Sequence, residues 1–250
     1  MRVLIAICLS LLVLLGHAGA PAAPAAPAEH AAGGNHLDYQ HQDRWVGVLD
    51  HAQSPIDIVT RDVKPAQANE PRAIELQHVQ SDVGSTQDTG HAVQFNTHRT
   101  EATIRGRHFR LQQLHFHDLS EHTIDGRHFP LEGHFVFAAQ DGRLAVVAVM
   151  YEAGAANSAI GPILDDLATA REAPPQRTLK IRALLPAKLG YYHYLGSLTT
   201  PPLTQNVEWY VLRQPVTMST SQLEALETRY PRNNRAIQPL NGRPVIGFPG

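Results

Sequence analysis

Short runs of strand-like composition recur along the chain, several with alternating apolar and polar positions, over residues 74–79, 91–96, 101–104, 108–117, 134–138, 144–151 and 207–212. Alternation puts one face of a strand into a core and leaves the other outside. Asp125-Gly126 and Asp141-Gly142 stand between such runs, and Asp-Gly is a strong signal for a tight hairpin turn. Helical spacing is scarce. Residues 158–171 carry Ile160, Ile163, Leu164 and Leu167 on one helical face, and residues 219–230 open on a Ser/Thr cap and carry Leu223 and Leu226. The pattern predicts a mainly β fold: a large, mostly antiparallel, twisted central sheet with short peripheral helices.

The N-terminal pattern is different. Arg2, an apolar stretch over 3–15 and the small residues Ala18-Gly19-Ala20 read as a signal peptide over residues 1–20, so export to the periplasm or the external medium is expected. The stretch is shorter than the about 20 residues that cross a bilayer, and no later segment is apolar enough, so no stable membrane span is expected. Residues 21–34 open with Pro-Ala-Ala-Pro-Ala-Ala-Pro-Ala and form a linker, with either a second cleavage point before Glu29 or a stiff tether. Residues 35–250 have the length of one large domain and contain no internal repeat.

Composition narrows the chemistry. The only cysteine, Cys8, lies inside the signal segment, which leaves the mature chain without a disulfide or a thiolate ligand. Any metal must therefore bind through His, Asp or Glu. A net charge of −2 without a Lys/Arg run gives no footprint for nucleic acid or anionic lipid, and a small diffusible substrate fits better. Fifteen histidines in 250 residues is an unusual content. His30, His36, His41, His51, His78, His98, His108, His128 and His193 lie in no ligand-like spacing and are expected mostly in solvent.

In Gln113-Leu114-His115-Phe116-His117, strand alternation sends Gln113, His115 and His117 to one face and Leu114 and Phe116 to the other. Two imidazoles then point the same way, close enough to share an ion held about 2.0 to 2.1 Å from each nitrogen. Alone, this His-x-His reads equally as a pair on a polar sheet face. Leu131-Glu132-Gly133-His134-Phe135 is a second strand, reached through the Asp125-Gly126 turn, and offers His134 as a third donor. Glu132 shares its face, as Gln113 shares that of His115, and such groups accept the second ring N–H of a metal-bound histidine. Three protein donors leave a fourth position for water, the arrangement of catalytic zinc.

Together with Gln53-Ser54-Pro55-Ile56-Asp57-Ile58, Ser120-Glu121-His122-Thr123, Gly196-Ser197-Leu198-Thr199-Thr200-Pro201-Pro202 and Asn233-Asn234-Arg235, these histidines closely resemble the α-class carbonic anhydrases over about residues 39–245. The resemblance implies that His115, His117 and His134 bind Zn2+ and that a zinc-bound hydroxide attacks carbon dioxide to give bicarbonate. It implies that Thr199 accepts the hydroxide's proton and donates to Glu121, an ionised carboxylate that can only accept. Without Thr199, Glu121 reads as a solvated turn carboxylate. Val136, Val146, Leu198, Val207 and Trp209 are implied as the apolar wall for the substrate, or else as ordinary core. Thr200 is either a second polar contact or a shaper of the turn. His91, in Gly90-His91-Ala92, matches the proton shuttle, a role suited to an imidazole; its other reading is a surface histidine.

The chain departs from the family pattern in three places. Asp88-Thr89 replaces an asparagine-rich pair before His91, Ala236 stands where a proline usually follows Arg235, and Leu203 stands where many bacterial relatives carry a disulfide. Packing and salt bridges of Arg235 or Arg243 are expected to hold the Thr199 turn instead, with ordinary activity and lower heat resistance than a disulfide-bearing relative. The main alternative function is a non-catalytic binding module on the same fold; retention of all three histidines, Glu121 and Thr199 speaks against it. A peptide hydrolase would want a His-Glu-x-x-His helix, which is missing, and metal storage would want clustered histidine tracts. Weak esterase activity and a homodimer are both compatible with the sequence.

Overall fold

The computed structural model describes residues 37–45, 47, 51–71, 73–97, 99–169 and 175–250. The expected signal peptide, the linker and Cys8 lie outside the described residues. The strands are β1 (Asp57–Ile58), β2 (Lys64–Pro65), β3 (Ile74–Gln77), β4 (Asp82–Asp88), β5 (Val93–Thr97), β6 (Glu101–Ile104), β7 (Arg107–Asp118) and β8 (Thr123–Ile124). They continue as β9 (Leu131–Ala138), β10 (Leu144–Ala153), β11 (Arg177–Leu179), β12 (Tyr191–Ser197), β13 (Gln205–Leu212), β14 (Val216–Met218) and β15 (Ile246–Phe248). Two α-helices occur among the described residues, α1 (Gly161–Thr169) and α2 (Thr220–Arg229). No helix there is long and apolar enough to cross a membrane.

Thirteen strands form one sheet whose main path runs β11-β4-β5-β7-β9-β10-β13-β12-β15-β2. Most pairings are antiparallel, as expected, but the sheet is mixed: β10 runs parallel to β13 and β14, and β15 parallel to β2. β10 is central and is buried along most of its length, which is why it reads as a nearly continuous apolar run. Asp141-Gly142 connects β9 to β10 as the sequence predicts. Asp125 and Gly126, at φ of 51° and 75°, make the other tight turn, yet it closes only a single bridge between Ile124 and Arg127.

Register fixes the two faces. Across β5, β7, β9, β10, β13 and β12 one row reads Gln94, His115, His134, Ala148, Val211 and Tyr192. The next row on that face reads Gln113, Val136, Val146, Trp209 and Tyr194. Leu114 and Phe116 point the other way, into a core shared with Phe135, Val147 and Tyr210 and closed by Ile163 of α1 and Leu223 and Leu226 of α2. Both helices start and end within a few residues of the expected spans. Ser219 caps α2 and exchanges hydrogen bonds with Gln222, the reciprocal pairing that satisfies two of the helix's otherwise orphaned N–H groups. The histidine face thus backs onto a packed apolar core.

Candidate metal centre

Each of the three imidazoles has one ring nitrogen fixed by an oxygen that only accepts. His115 Nδ1 lies 2.8 Å from Gln113 Oε1, His117 Nδ1 2.7 Å from the Asn233 carbonyl, and His134 Nε2 2.9 Å from Glu132 Oε1. A ring N–H must sit on the fixed side, so the basic nitrogens are Nε2 of His115, Nε2 of His117 and Nδ1 of His134. The rings converge, with centroids 5.0, 5.1 and 4.6 Å apart, and one ligand atom from each lies within 4.8 Å of the others. Nε2 of His117 is buried and has no hydrogen-bond partner. An unpartnered imidazole nitrogen is costly in a protein interior. A cation that accepts nitrogen donors removes that cost, so the site fits a metal ion. Burial pushes the pKa of His117 down, which favours the neutral, ligating form.

Glu132 does more than orient His134. Its carboxylate also accepts the His122 main-chain N–H at 2.8 Å and faces His122 Nδ1 at 2.7 Å. Burial alone would push Glu132 up; the charge and hydrogen bond of His122, joined by His134, outweigh it and hold the carboxyl well below its usual range. His122 Nε2 lies 2.6 Å from the Tyr194 hydroxyl, which donates to Ser54 Oγ at 2.8 Å. Ser54 in turn exchanges two hydrogen bonds with Ser197, at 3.0 and 3.1 Å. A buried chain therefore runs from His134 to the start of the Thr199 turn. The sequence motifs contain Ser54, His122 and Ser197, but their partnership, and Tyr194, were legible only once β12 was placed.

Glu121 is fully buried, with Oε1 accepting the Arg235 N–H at 2.7 Å and lying 3.6 Å from His117 Nδ1. Its Oε2 is buried, 3.9 Å from His134 Nε2, and accepts no hydrogen bond. The bond that the resemblance implies from Thr199 is thus not formed here, although Thr199 is itself buried. The apolar residues divide. Val146, Val207 and Trp209 are each 1% exposed and form the floor, whereas Val136 and Leu198 are only partly buried and flank it. The Trp209 ring packs edge-on against His134 at 4.9 Å. Thr200 is half-buried, and its carbonyl accepts the Leu203 N–H in the turn.

His91 follows β4 and lines a cleft of about 660 Å³ with Tyr39, Gln42, Arg229, Asn233 and Asn234. Asn233 reaches both places: its side-chain amide donates to the His91 carbonyl at 2.8 Å, and its own carbonyl holds His117. His193, expected in solvent, is instead buried in β12 and stacked on Tyr210.

The Thr199 turn is held by carbonyl hydrogen bonds and packing, not by the expected salt bridges. The Arg243 guanidinium donates to the carbonyls of Gln53, Leu195, Pro239 and Leu240, and Arg235 donates to Ser54 O and Gln53 Oε1. Leu203 fills the buried position, at 1% exposure, and the turn packs so near Gly47 that a Cβ there would fall 2.4 Å from Pro202 O and 3.1 Å from Leu203 Cβ.

A mixed sheet that carries three converging imidazoles over an apolar floor defines a β protein with a histidine cluster that could hold a metal ion. The model of the eukaryotic-type carbonic anhydrases matches residues 40–247, and the chain belongs to that family. A carbonic anhydrase of Pectobacterium atrosepticum is 45% identical over 163 residues, 64% of this chain and 67% of that protein. One from Neisseria gonorrhoeae is 39% identical over 164 residues, 64% and 65% of the two chains. The α-carbonic anhydrase of Thermovibrio ammonificans, solved with the inhibitor sulfanilamide, superposes with a TM-score of 0.70 at 34% identity, covering 78% of this chain and 87% of that one. Membership carries the general activity, hydration of carbon dioxide.

Proposed function

We propose that His115, His117 and His134 hold a single zinc ion and that the chain uses it for reversible hydration of carbon dioxide to bicarbonate and a proton. The observation that carries this reading is the buried, unpartnered Nε2 of His117 within a triad in which each imidazole has one ring nitrogen fixed by a hydrogen bond. Bound there, zinc would supply Lewis acidity that lowers the pKa of a water to about 7, the general value for carbonic anhydrases as a class.

The protein's own groups supply orientation and proton transfer. Thr199, whose bond to Glu121 is not formed in this structure, would donate its hydroxyl hydrogen to the open Oε2 of Glu121 during turnover, which would leave the threonine oxygen free to accept from the reacting water. Glu121 keeps that polarity because its other oxygen is occupied by the Arg235 N–H. Val136 and Leu198, on the floor of Val146, Val207 and Trp209, offer the apolar surface that an uncharged substrate needs, and Thr200 lines the turn. His91 accepts the proton and passes it to solvent through the cleft, which an imidazole does near neutral pH. The same site would give weak hydrolysis of activated esters. The segment over residues 1–20 supports export of the chain.

Stopped-flow carbon dioxide hydration, with metal analysis, tests the proposal. One zinc per chain, fast hydration, and loss of both in His117→Ala are expected. A protein that binds one zinc and hydrates carbon dioxide no faster than buffer would be a binding module on this fold.

A further inference from the structure

The turn that carries His91 is built by the two residues that break the asparagine-rich pattern. Asp88 ends β4, and its Oδ1 accepts the Gly90 N–H at 2.8 Å. The Thr89 hydroxyl donates to the Ala92 carbonyl at 2.9 Å and lies 3.1 Å from the Ala92 N–H. Gly90 sits at φ +82°, with nothing within 4 Å of where a Cβ would be, so its place in the turn comes from these hydrogen bonds and not from packing. The turn is then gripped from outside itself. Asn233 donates to the His91 carbonyl on the inner side, and Arg229 Nη2 meets Asp88 Oδ2 at 2.5 Å on the outer side.

Arg229 is the last residue of α2, anchored by buried Leu226 and Tyr230 on either side of it in sequence. Both members of the Arg229–Asp88 pair are partly exposed, at 51% and 36% of the side chain. Exposed pairs of this kind contribute little to global stability. An effect that small on the global fold leaves position as what the pair determines: it ties a self-contained turn to a helix packed on the opposite core.

We infer that Asp88 and Arg229 are positioning residues, a clamp that sets the His91 imidazole against the cleft for proton transfer. The inference rests on the reading of His91 as proton carrier given under Proposed function. Asp88 and Thr89 thereby provide a different route to a placed shuttle than an asparagine pair.

Oxygen-18 exchange measured by mass spectrometry on the zinc-loaded protein separates interconversion of carbon dioxide and bicarbonate from release of labelled water, the step that needs a delivered proton. Arg229→Ala and Asp88→Asn are expected to slow labelled-water release several-fold and leave interconversion unchanged. Arg229→Lys should keep most of the rate, and imidazole in the buffer should restore it to both slowed variants. Independently of activity, amide hydrogen exchange at Gly90 and His91 should quicken in Arg229→Ala while β7 and β9 exchange as before. Unchanged water release in both variants, a parallel fall of both rates, or no slowing in His91→Ala would overturn the clamp. Absence of interconversion in the wild type would instead defeat the hydration reading, a result the exchange experiment tells apart.

Discussion

The main-chain carbonyl of Asn233 accepts a hydrogen bond from Nδ1 of His117 at 2.7 Å, across 116 residues of sequence. The Asn233 side chain fixes that carbonyl's place: Oδ1 accepts the Asp118 N–H at 2.6 Å, and Nδ2 donates to the carbonyls of His91 and Phe116. Asn233→Ala strands these buried groups, each at about 1 to 3 kcal/mol when left unpaired. We expect a loss of about 3 kcal/mol in denaturant unfolding and weaker zinc retention against a chelator. Full stability with wild-type retention would show that the loop holds His117 without its side chain.

Glu132→Gln keeps an acceptor for His134 but can no longer accept from both nitrogens of His122 and hold the charge between the two rings. Zinc affinity should fall about 10- to 100-fold, as is typical when a ligand's hydrogen-bond partner is altered. Competition with a chromophoric chelator reads this directly.

Tyr194→Phe removes one hydroxyl from the chain between His122 and Ser54. A loss of about 1 to 3 kcal/mol is expected because the buried partners are left facing carbon. Thermal unfolding of metal-free and zinc-loaded protein checks whether the loss appears in both forms.

How much of this could be read beforehand differs along the chain. β6 and β7 show the alternation that a half-buried strand imposes, and both the strands and the histidine face follow from it. β4 does not: its inward positions include Asp82, Gly84 and Thr86, so polar residues occupy the core side and the period is hidden. Asp82 meets the N–H groups of Val83 and Thr100, and Thr86 donates to buried Asp166, which satisfies their burial. β12 is buried at six of its seven positions and likewise has no alternation. The convergence of the three histidines was legible because they sit on adjacent strands. Asn233 and Tyr194 were not assigned their roles, and the Arg235 contact with Glu121 was not foreseen, since each reaches the site from a distant segment.

His193 gives a pH signature distinct from the site's. Burial against Tyr210 and the strand lowers its pKa, the carbonyl of Trp209 only partly opposing this. The unfolded chain takes up the proton at about pH 6.5 and the folded one only below that, so stability declines as pH falls from 6.5 toward the folded value. His193→Gln, which removes this titration, should show a flatter dependence of Tm on pH below about 6.5. Parallel curves for the two zinc-loaded proteins would contradict the assignment.

Arg243→Ala removes the donor to four carbonyls around the Thr199 turn and should cost about 3 kcal/mol. Differential scanning calorimetry would register it, and a change within error would leave Leu203 packing as the turn's main restraint.

The 116-residue reach from His117 to Asn233 also sets an order of assembly. β7 and β9 present all three imidazoles as one local unit, long before the acceptor that sets the His117 tautomer has been synthesised. A nascent chain halted short of Asn233 would hold the donors without their final proton arrangement. The donors are local in sequence, whereas the group that fixes the His117 tautomer comes from a segment far downstream.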